Sequence, residues 1–342
     1  MSINSTKILF LFMLISGILI SLCANSWMGA WVGLEINLLS FIPLISSKKN
    51  MFTAEVSLKY FLIQGVASST LLFLILFKIN SHEMIYFLNN EFWNNFLIIP
   101  FLLKIASAPF HWWLPSIIEG LSWFNCFIML TIQKIAPLIL VSYLMFNNLF
   151  IQLIIVTSAF IGAIGGFNQT SLRKIMSFSS INHIGWMLMA LVMGINVWFY
   201  YFLIYTVNIF LIFSFMNTLN LSYILQTFNL FNNKKLIKIF IFMSILSLGG
   251  LPPLLGFFPK WVIIQFMIYN SIHLTVIVLI MLSLLTLFFY LRIMYTTFLL
   301  MNTEMLWSLT YFPIKKNYTK IFYSLSLVIG GMMSCTLIVF MF

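Results

Sequence analysis

The sequence predicts an all-α, polytopic membrane protein of about 11 transmembrane helices, arranged as an inverted repeat with two discontinuous helices. Three observations carry the prediction. Charged residues make up 7% of the chain and hydrophobic residues 62%, with a mean hydropathy of +1.08, whereas a soluble domain carries about a quarter charged residues. Apolar runs of about 20 residues, the length that spans a bilayer core, follow one another with only short polar or Gly/Pro breaks between them. Two of the runs carry small residues, prolines, aromatics and a lysine: KIASAPFHWWLP at 104–115 and LGGLPPLLGFFPKW at 248–261.

Taken in order, the runs place spans near 6–23, 26–45, 56–78, 92–108, 121–146, 149–167, 171–193, 196–222, 237–270, 273–300 and 320–341. Residues 7–23 could pass for a signal-peptide core. They lead into NSWMGAW rather than a small-residue cleavage site, so they read as the first span. No Arg-rich transit segment precedes them. The run 237–270 is too long for one straight helix, and the basic residues decide how to count it. Lys48 and Lys49, Arg173 and Lys174, Lys234, Lys235 and Lys238, and Lys315, Lys316 and Lys320 all fall on one side of the membrane if that run crosses once. The positive-inside rule requires this, so the run is one discontinuous span. Lys7 then places the N-terminus on the basic side, and an odd number of spans places the C-terminus opposite. The connection 79–91, with Glu83 and Glu91 and no lysine, is the longest on the other side.

The chain is thus expected to be a single transmembrane domain over 1–342, with repeat halves 6–146 and 149–300 and a terminal helix 320–341. The two broken spans lie an odd number of spans apart, so equivalent elements would be inverted, an architecture that places ion sites near the midplane.

The formal charge of +11 would point to nucleic acid in a soluble protein; here the positives serve as topology signals, and no nucleic-acid partner is expected. Cys23, Cys126 and Cys335 sit in separate apolar runs with no CxxC spacing and read as small buried hydrophobes. The four histidines never fall two to a span, so there is no bis-histidine haem site. Neither an iron–sulfur cysteine pattern nor a flavin or nicotinamide fingerprint is present. No cofactor and no metal are expected in this chain.

Aspartate is absent, and of the six acidic residues one, Glu35, falls inside a span. It lies about 14 Å into its helix, and Lys134 about 18 Å into its own, both near mid-membrane. Lys104 sits about two thirds along the fourth span and Lys260 directly after the break in the ninth. A cation at the bilayer centre costs about 2.5–3.5 kcal/mol even on lenient scales, so it persists where it has a partner or lines a wet cavity. Burial disfavours the charged form of an amine and a nearby carboxylate restores it; moving or protonating the carboxylate therefore releases the amine's proton. Glu35 with Lys104 would form such a switch, Lys134 a relay, and Lys260 the group of uptake or release. A single buried lysine can be a satisfied packing cation. Three, each near a helix breaker, together with a mid-span glutamate, point to an ion path.

Other polar residues rank below these. His183 lies in SFSSINHIGW with Ser177, Ser179, Ser180 and Asn182, a stretch that could hold water, although serines bonding their own helix explain most of it. His111 follows the Pro109 break. Lys59, Lys78 and Arg292 lie close enough to span ends to snorkel; Glu55 and Glu119 belong to loops or span ends. Trp112, Trp113, Trp123 and Trp261 are expected mainly in the interface belt and in lipid packing.

GAWVGLEINLLSFIPL, KYFL, LLKIASAPFHWWLP, QKIAPL, NQTSLRKIMSFSSINHIGW and LSLGGLPPLLGFFPKW together resemble the antiporter-like membrane subunits of respiratory complex I, over essentially the whole chain. The resemblance implies a glutamate–lysine pair at Glu35 and Lys104, a central lysine at Lys134, a distal lysine at Lys260, and discontinuous helices at spans 4 and 9. It also implies proton translocation coupled electrostatically to redox chemistry elsewhere in a complex that carries FMN, Fe–S clusters and ubiquinone. The implied partners are other membrane-arm subunits and membrane lipids. The implied location is the mitochondrial inner membrane, with the N-terminus in the matrix and the C-terminus in the intermembrane space. Bacterial members carry more spans than fit here, and the shorter form matches an animal subunit lacking the first ones. A stand-alone cation/proton antiporter of the same fold and a purely structural membrane-arm subunit are the competing expectations.

Overall fold

A computed structural model describes residues 5–46, 51–80, 90–224, 226 and 235–295. The described residues are helical and contain no strand beyond an isolated bridge between Ser171 and Tyr223. The helices are α1 (Ser5–Cys23), α2 (Trp27–Ile45), α3 (Met51–Asn80), α4 (Asn90–Ile105), α5 (Trp113–Gly120), α6 (Trp123–Leu130), α7 (Ile132–Ser142), α8 (Leu149–Gly165), α9 (Leu172–Met193), α10 (Ile195–Leu219), α11 (Lys235–Gly249), α12 (Phe257–Tyr269) and α13 (His273–Tyr295). Seven helical stretches are long and apolar enough to cross a membrane: α1, α2, α3, the stretch Trp123–Ser142, α9, α10 and α13. Shorter apolar helices lie at Phe92–Ile105, Leu149–Gly165 and Phe257–Tyr269. The expected terminal span 320–341 and Cys335 lie outside the described residues, as does most of the 79–91 connection. The chain forms two compact units, Met1–Ser158 and Ala159–Phe342, whose boundary falls within α8.

In the first unit α1 packs on α2, α3 on α2, α4 and α5, and α7 on α1 and α4. Gly17 and Gly33 let α1 and α2 approach closely. A Cβ on Gly33 would sit 2.5 Å from the Ser21 nitrogen, and one on Gly17 2.9 Å from the Asn37 nitrogen. Small residues at crossing points are how membrane helices gain van der Waals contact. Here they fix the helix that carries Glu35 and Asn37. Trp31 Nε1 donates to the Ser68 carbonyl at 3.0 Å, tying α2 to α3.

Both expected interruptions are present, and each is a capped helix end. After α4, Ala106 adopts φ +65°, Ser107 N–H donates to the Leu102 carbonyl at 3.1 Å and Ala106 N–H to the Leu103 carbonyl at 3.3 Å. This is a Schellman end with alanine where glycine is usual. After α11, Gly250 takes φ +88° and its N–H reaches the Leu246 carbonyl at 3.1 Å. Pro109, Pro252 and Pro253 follow these ends and lack the N–H that would continue a helix.

The structure corrects two expectations, on the tryptophans and on Cys23, and refines a third. The segment 121–146, read as one span, is present as the apolar stretch Trp123–Ser142, with a turn at Thr131 where α6 gives way to α7. Pro137 cannot donate to the Gln133 carbonyl and crowds the preceding turn, while Thr131 Oγ1 donates to the Phe127 carbonyl at 2.6 Å. Trp113 and Trp123 are buried rather than belted at an interface. The Trp113 indole donates to the Leu103 carbonyl at 3.1 Å across the α4–α5 interruption, because a broken helix leaves carbonyls in need of donors. Cys23, expected inside, is exposed at the end of α1, whereas Cys126 is buried.

In the second unit α9 packs on α10, α12 and α13, and α11 on α10 and α13. A Cβ on Gly162 would meet the Asn182 nitrogen at 2.4 Å, so α8 and α9 also touch backbone to backbone. The tightest position is Gly256, just before α12, where a Cβ would fall 1.6 Å from the Ser247 carbonyl oxygen. Gly256→Ala is therefore expected to force the α11–α12 interruption apart and to destabilise by more than about 3 kcal/mol, beyond ordinary overpacking. Thermal denaturation of the purified assembly measures this. At Ala106, where an L-residue in the left-handed region costs about 1–2 kcal/mol, Ala106→Gly is expected to be tolerated and the β-branched Ala106→Val to lower stability. The same melting experiment ranks the two.

Candidate functional site

The three lysines singled out by sequence are all buried, at 8% exposure for Lys104, 2% for Lys134 and 5% for Lys260. Each sits at a helix interruption. Lys104 is in the last turn of α4, where the partial negative charge of a helix C-terminus favours a cation. Lys134 is in the first turn of α7, directly after Thr131, and its backbone N–H donates to the Thr131 carbonyl at 3.1 Å. Lys260 is in the first turn of α12, the unfavourable end for a cation. Its side chain reaches back instead, and Nζ donates to the Gly249 carbonyl at the end of α11 at 2.9 Å.

In the first unit, Lys104 and Lys134 line one cleft, together with Asn37, Tyr60, Gln64 and Gln133. Tyr60 OH donates to Gln133 Oε1 at 3.4 Å. Asn37 Oδ1 and Gln133 Nε2 are buried with no protein hydrogen-bond partner. Such atoms are rare in folded proteins and mark polar space open to a small guest. Glu35, near the middle of α2, is half-buried. A direct ion pair lies elsewhere, Lys59 Nζ to Glu55 Oε1 at 2.6 Å across one turn of α3 on an exposed face.

In the second unit, the Lys260 ammonium lies 5.9 Å from the centre of the Trp186 ring, within cation–π range. Trp186 is one helical turn from His183 on α9. His183, 6% exposed, bonds through Nδ1 to Tyr201 OH at 2.7 Å, and its ring centre lies 5.1 Å from that of Tyr205. The serines of the same stretch do what serines in helices commonly do. Ser177 donates to Lys174 O, Ser179 to Met176 O and Ser180 to Ser177 O. His111 is half-exposed in the α4–α5 interruption with Nδ1 at 3.2 Å from the Pro109 carbonyl. Arg292 bonds the Phe167 carbonyl.

The structure thus brings Glu35, Lys104 and Lys134 together in one unit and His183 and Lys260 together in the other. The polar lining of the cleft and the tyrosines around His183 are additions. Gln64 and Gln133 were legible as amides inside apolar runs, and Tyr201, Tyr205 and Asn208 as a polar stripe at helical spacing on α10. Asn208 accepts from Ser247 Oγ at 3.2 Å beside the α11–α12 interruption.

The chain matches known proteins in sequence and in fold. The family described as NADH:quinone oxidoreductase/Mrp antiporter, transmembrane, matches residues 24–289. NADH-ubiquinone oxidoreductase chain 2 of Anopheles gambiae is 46% identical over 339 residues, covering 96% of this chain and 97% of its own length. The same-named protein of Mus musculus is 37% identical over 316 residues, 91% of this chain and 89% of its own. In fold, the chain is similar to one in respiratory complex I from Thermus thermophilus with bound aureothin. The TM-score is 0.84 at 19% identity, over 98% of this chain and 79% of that one. It is also similar to one in the Mrp complex from Dietzia, with TM-score 0.73 at 18% identity, over 84% and 59%. With buried lysines at its helix interruptions and relatives that match it nearly end to end, the chain belongs to the NADH:quinone oxidoreductase/Mrp antiporter transmembrane family.

Proposed function

We propose that the chain is a proton-translocating membrane subunit of an NADH:ubiquinone oxidoreductase, with Glu35, Lys104, Lys134, His183 and Lys260 as its proton-carrying groups. The observation that carries this reading is the placement of all three mid-chain lysines, buried, on helix interruptions. An amine held there is poised between charged and neutral forms, because burial opposes its charge while a helix end or a carboxylate restores it. In the first unit a change at Glu35 reaches Lys104 electrostatically, and the cleft shared by Lys104 and Lys134 offers Asn37 and Gln133 as acceptor and donor along the way. In the second unit Lys260 exchanges its bond to the Gly249 carbonyl as it gains or loses a proton, beside His183.

This reading assigns FMN, iron–sulfur and ubiquinone chemistry to other subunits and gives this chain the translocase part. It makes the other membrane-arm subunits and membrane lipids its partners and the mitochondrial inner membrane its location, with the N-terminus in the matrix and the C-terminus in the intermembrane space. The likeness to a chain of an Mrp complex favours a second reading, a cation/proton antiporter acting apart from redox chemistry. Reconstitution separates them, since an antiporter exchanges ions in vesicles alone whereas a complex subunit purifies only with its partners. A purely structural subunit would lose assembly and activity in step when Lys104 or Glu35 is neutralised.

Lys134→Met, introduced into the assembled complex in sealed vesicles, is expected to lower the number of protons moved per electron; an unchanged ratio at an unchanged rate sinks the relay. For orientation, single cysteines at Lys48 or Lys315 are expected to react with membrane-impermeant thiol reagents only from the matrix side in inverted vesicles, and one at Glu83 only from the opposite side.

A further inference from the structure

His183 offers two ring nitrogens, and the structure puts a hydroxyl on one of them. Tyr201 OH lies 2.7 Å from Nδ1, and both residues are buried, Tyr201 at 2% exposure. A neutral imidazole has one nitrogen that donates and one that accepts. If Tyr201 donates to Nδ1, Nε2 carries the hydrogen and Nδ1 is the ring's acceptor. If Nδ1 carries the hydrogen, it donates to the Tyr201 oxygen and Nε2 is the acceptor. Under either tautomer, a proton that enters the ring at one nitrogen and leaves at the other crosses the Tyr201 hydroxyl.

That hydroxyl does not stand alone. Tyr205 and Tyr290 are also buried, and the Tyr205 ring centre lies 5.1 Å from that of His183. Tyr205 lies against Ser180 and Tyr290 against Ser179. Those two serines give their own protons to helix carbonyls, so their oxygens remain able to accept a hydrogen bond. The Tyr290 ring borders Gly249, where a Cβ would meet it at 3.2 Å, and the Gly249 carbonyl is the one that holds Lys260. A phenol cluster therefore runs from the imidazole to the helix end that receives the lysine.

We propose that Tyr201 is a proton-relay residue: its hydroxyl passes protons to and from His183 Nδ1, so that the imidazole is crossed from Tyr201 on one side to Nε2 on the other. In each hop the Tyr201 O–H bond breaks as an N–H bond forms at Nδ1, and the phenol oxygen takes a replacement proton from a water molecule that reaches it on the far side from the ring, so the phenol stays neutral overall. The reverse passage runs through the same atoms. This proposal rests on the reading of His183 as part of the proton path.

The test uses assembled complex in sealed vesicles, with proton movement and NADH oxidation measured per assembled complex. Tyr201→Phe keeps the ring and removes the hydroxyl; coupled proton movement is expected to fall by about a hundredfold, the lower end of what a positioned proton-transfer group contributes. Tyr201→His, a poorer fit but able to donate and accept, is expected to recover part of the loss. Tyr205→Phe, which removes a neighbouring phenol without touching Nδ1, is expected to have the smaller effect. In a His183→Leu background, Tyr201→Phe should add nothing. Wild-type proton movement in Tyr201→Phe, or a Tyr201→His variant no better than Tyr201→Phe, overturns the relay and leaves a packing role. Wild-type proton movement in His183→Leu instead overturns the assignment of His183 to the path, a separate outcome from failure at Tyr201 alone.

Discussion

A cation inside an apolar chain must find negative partial charge without bringing in many acids, and the fold meets that constraint by ending helices in its interior. A continuous helix satisfies its own carbonyls and has none to spare. An interrupted one presents carbonyls with residual negative charge. The 2.9 Å bond from Lys260 to the Gly249 carbonyl is the clearest instance, since it carries the ammonium away from the unfavourable start of α12 to the favourable end of α11. Lys104 gains the same benefit from its own helix by sitting in the last turn of α4. The Gly256 approach to Ser247 at one interruption and the Trp113 indole bond to the Leu103 carbonyl at the other tie the two sides of each together.

Such a design needs few carboxylates. Glu35 is the one acidic residue near the middle of a described span. The remaining polarity of the cleft comes from amides and a phenol, which accept or donate hydrogen bonds without adding fixed charge. The second unit gathers an imidazole, three phenols and an amine, groups that differ widely in basicity yet lie on neighbouring helices.

Much of this was legible from residue types. Lys104, Lys134 and Lys260 stand out because a lysine in an apolar run is energetically conspicuous, and the α4–α5 and α11–α12 interruptions because Pro and Gly cluster there. The interruption at Thr131 was hidden, since a lone Pro137 signals a kink but does not say whether the preceding turn bends or breaks. Trp113 was misassigned to the interface because an indole serves equally well as a belt anchor and as a buried donor; only its distance to Leu103 distinguishes the two. The tyrosines around His183 were overlooked for a similar reason, as aromatic side chains are abundant throughout the chain and their hydroxyls acquire meaning only when another polar group lies opposite.

The two interruptions also differ mechanically. The one after α4 turns on Ala106, an L-residue held at φ +65°, which keeps about 1–2 kcal/mol of backbone strain in place. The one after α11 turns on Gly250 at φ +88°, where no such strain exists. The first joint behaves as a loaded spring: any rearrangement that lets Ala106 relax returns energy to the motion. The second is a free hinge, whose resting position is set by its contacts at Ser247 and Lys260 rather than by its own backbone.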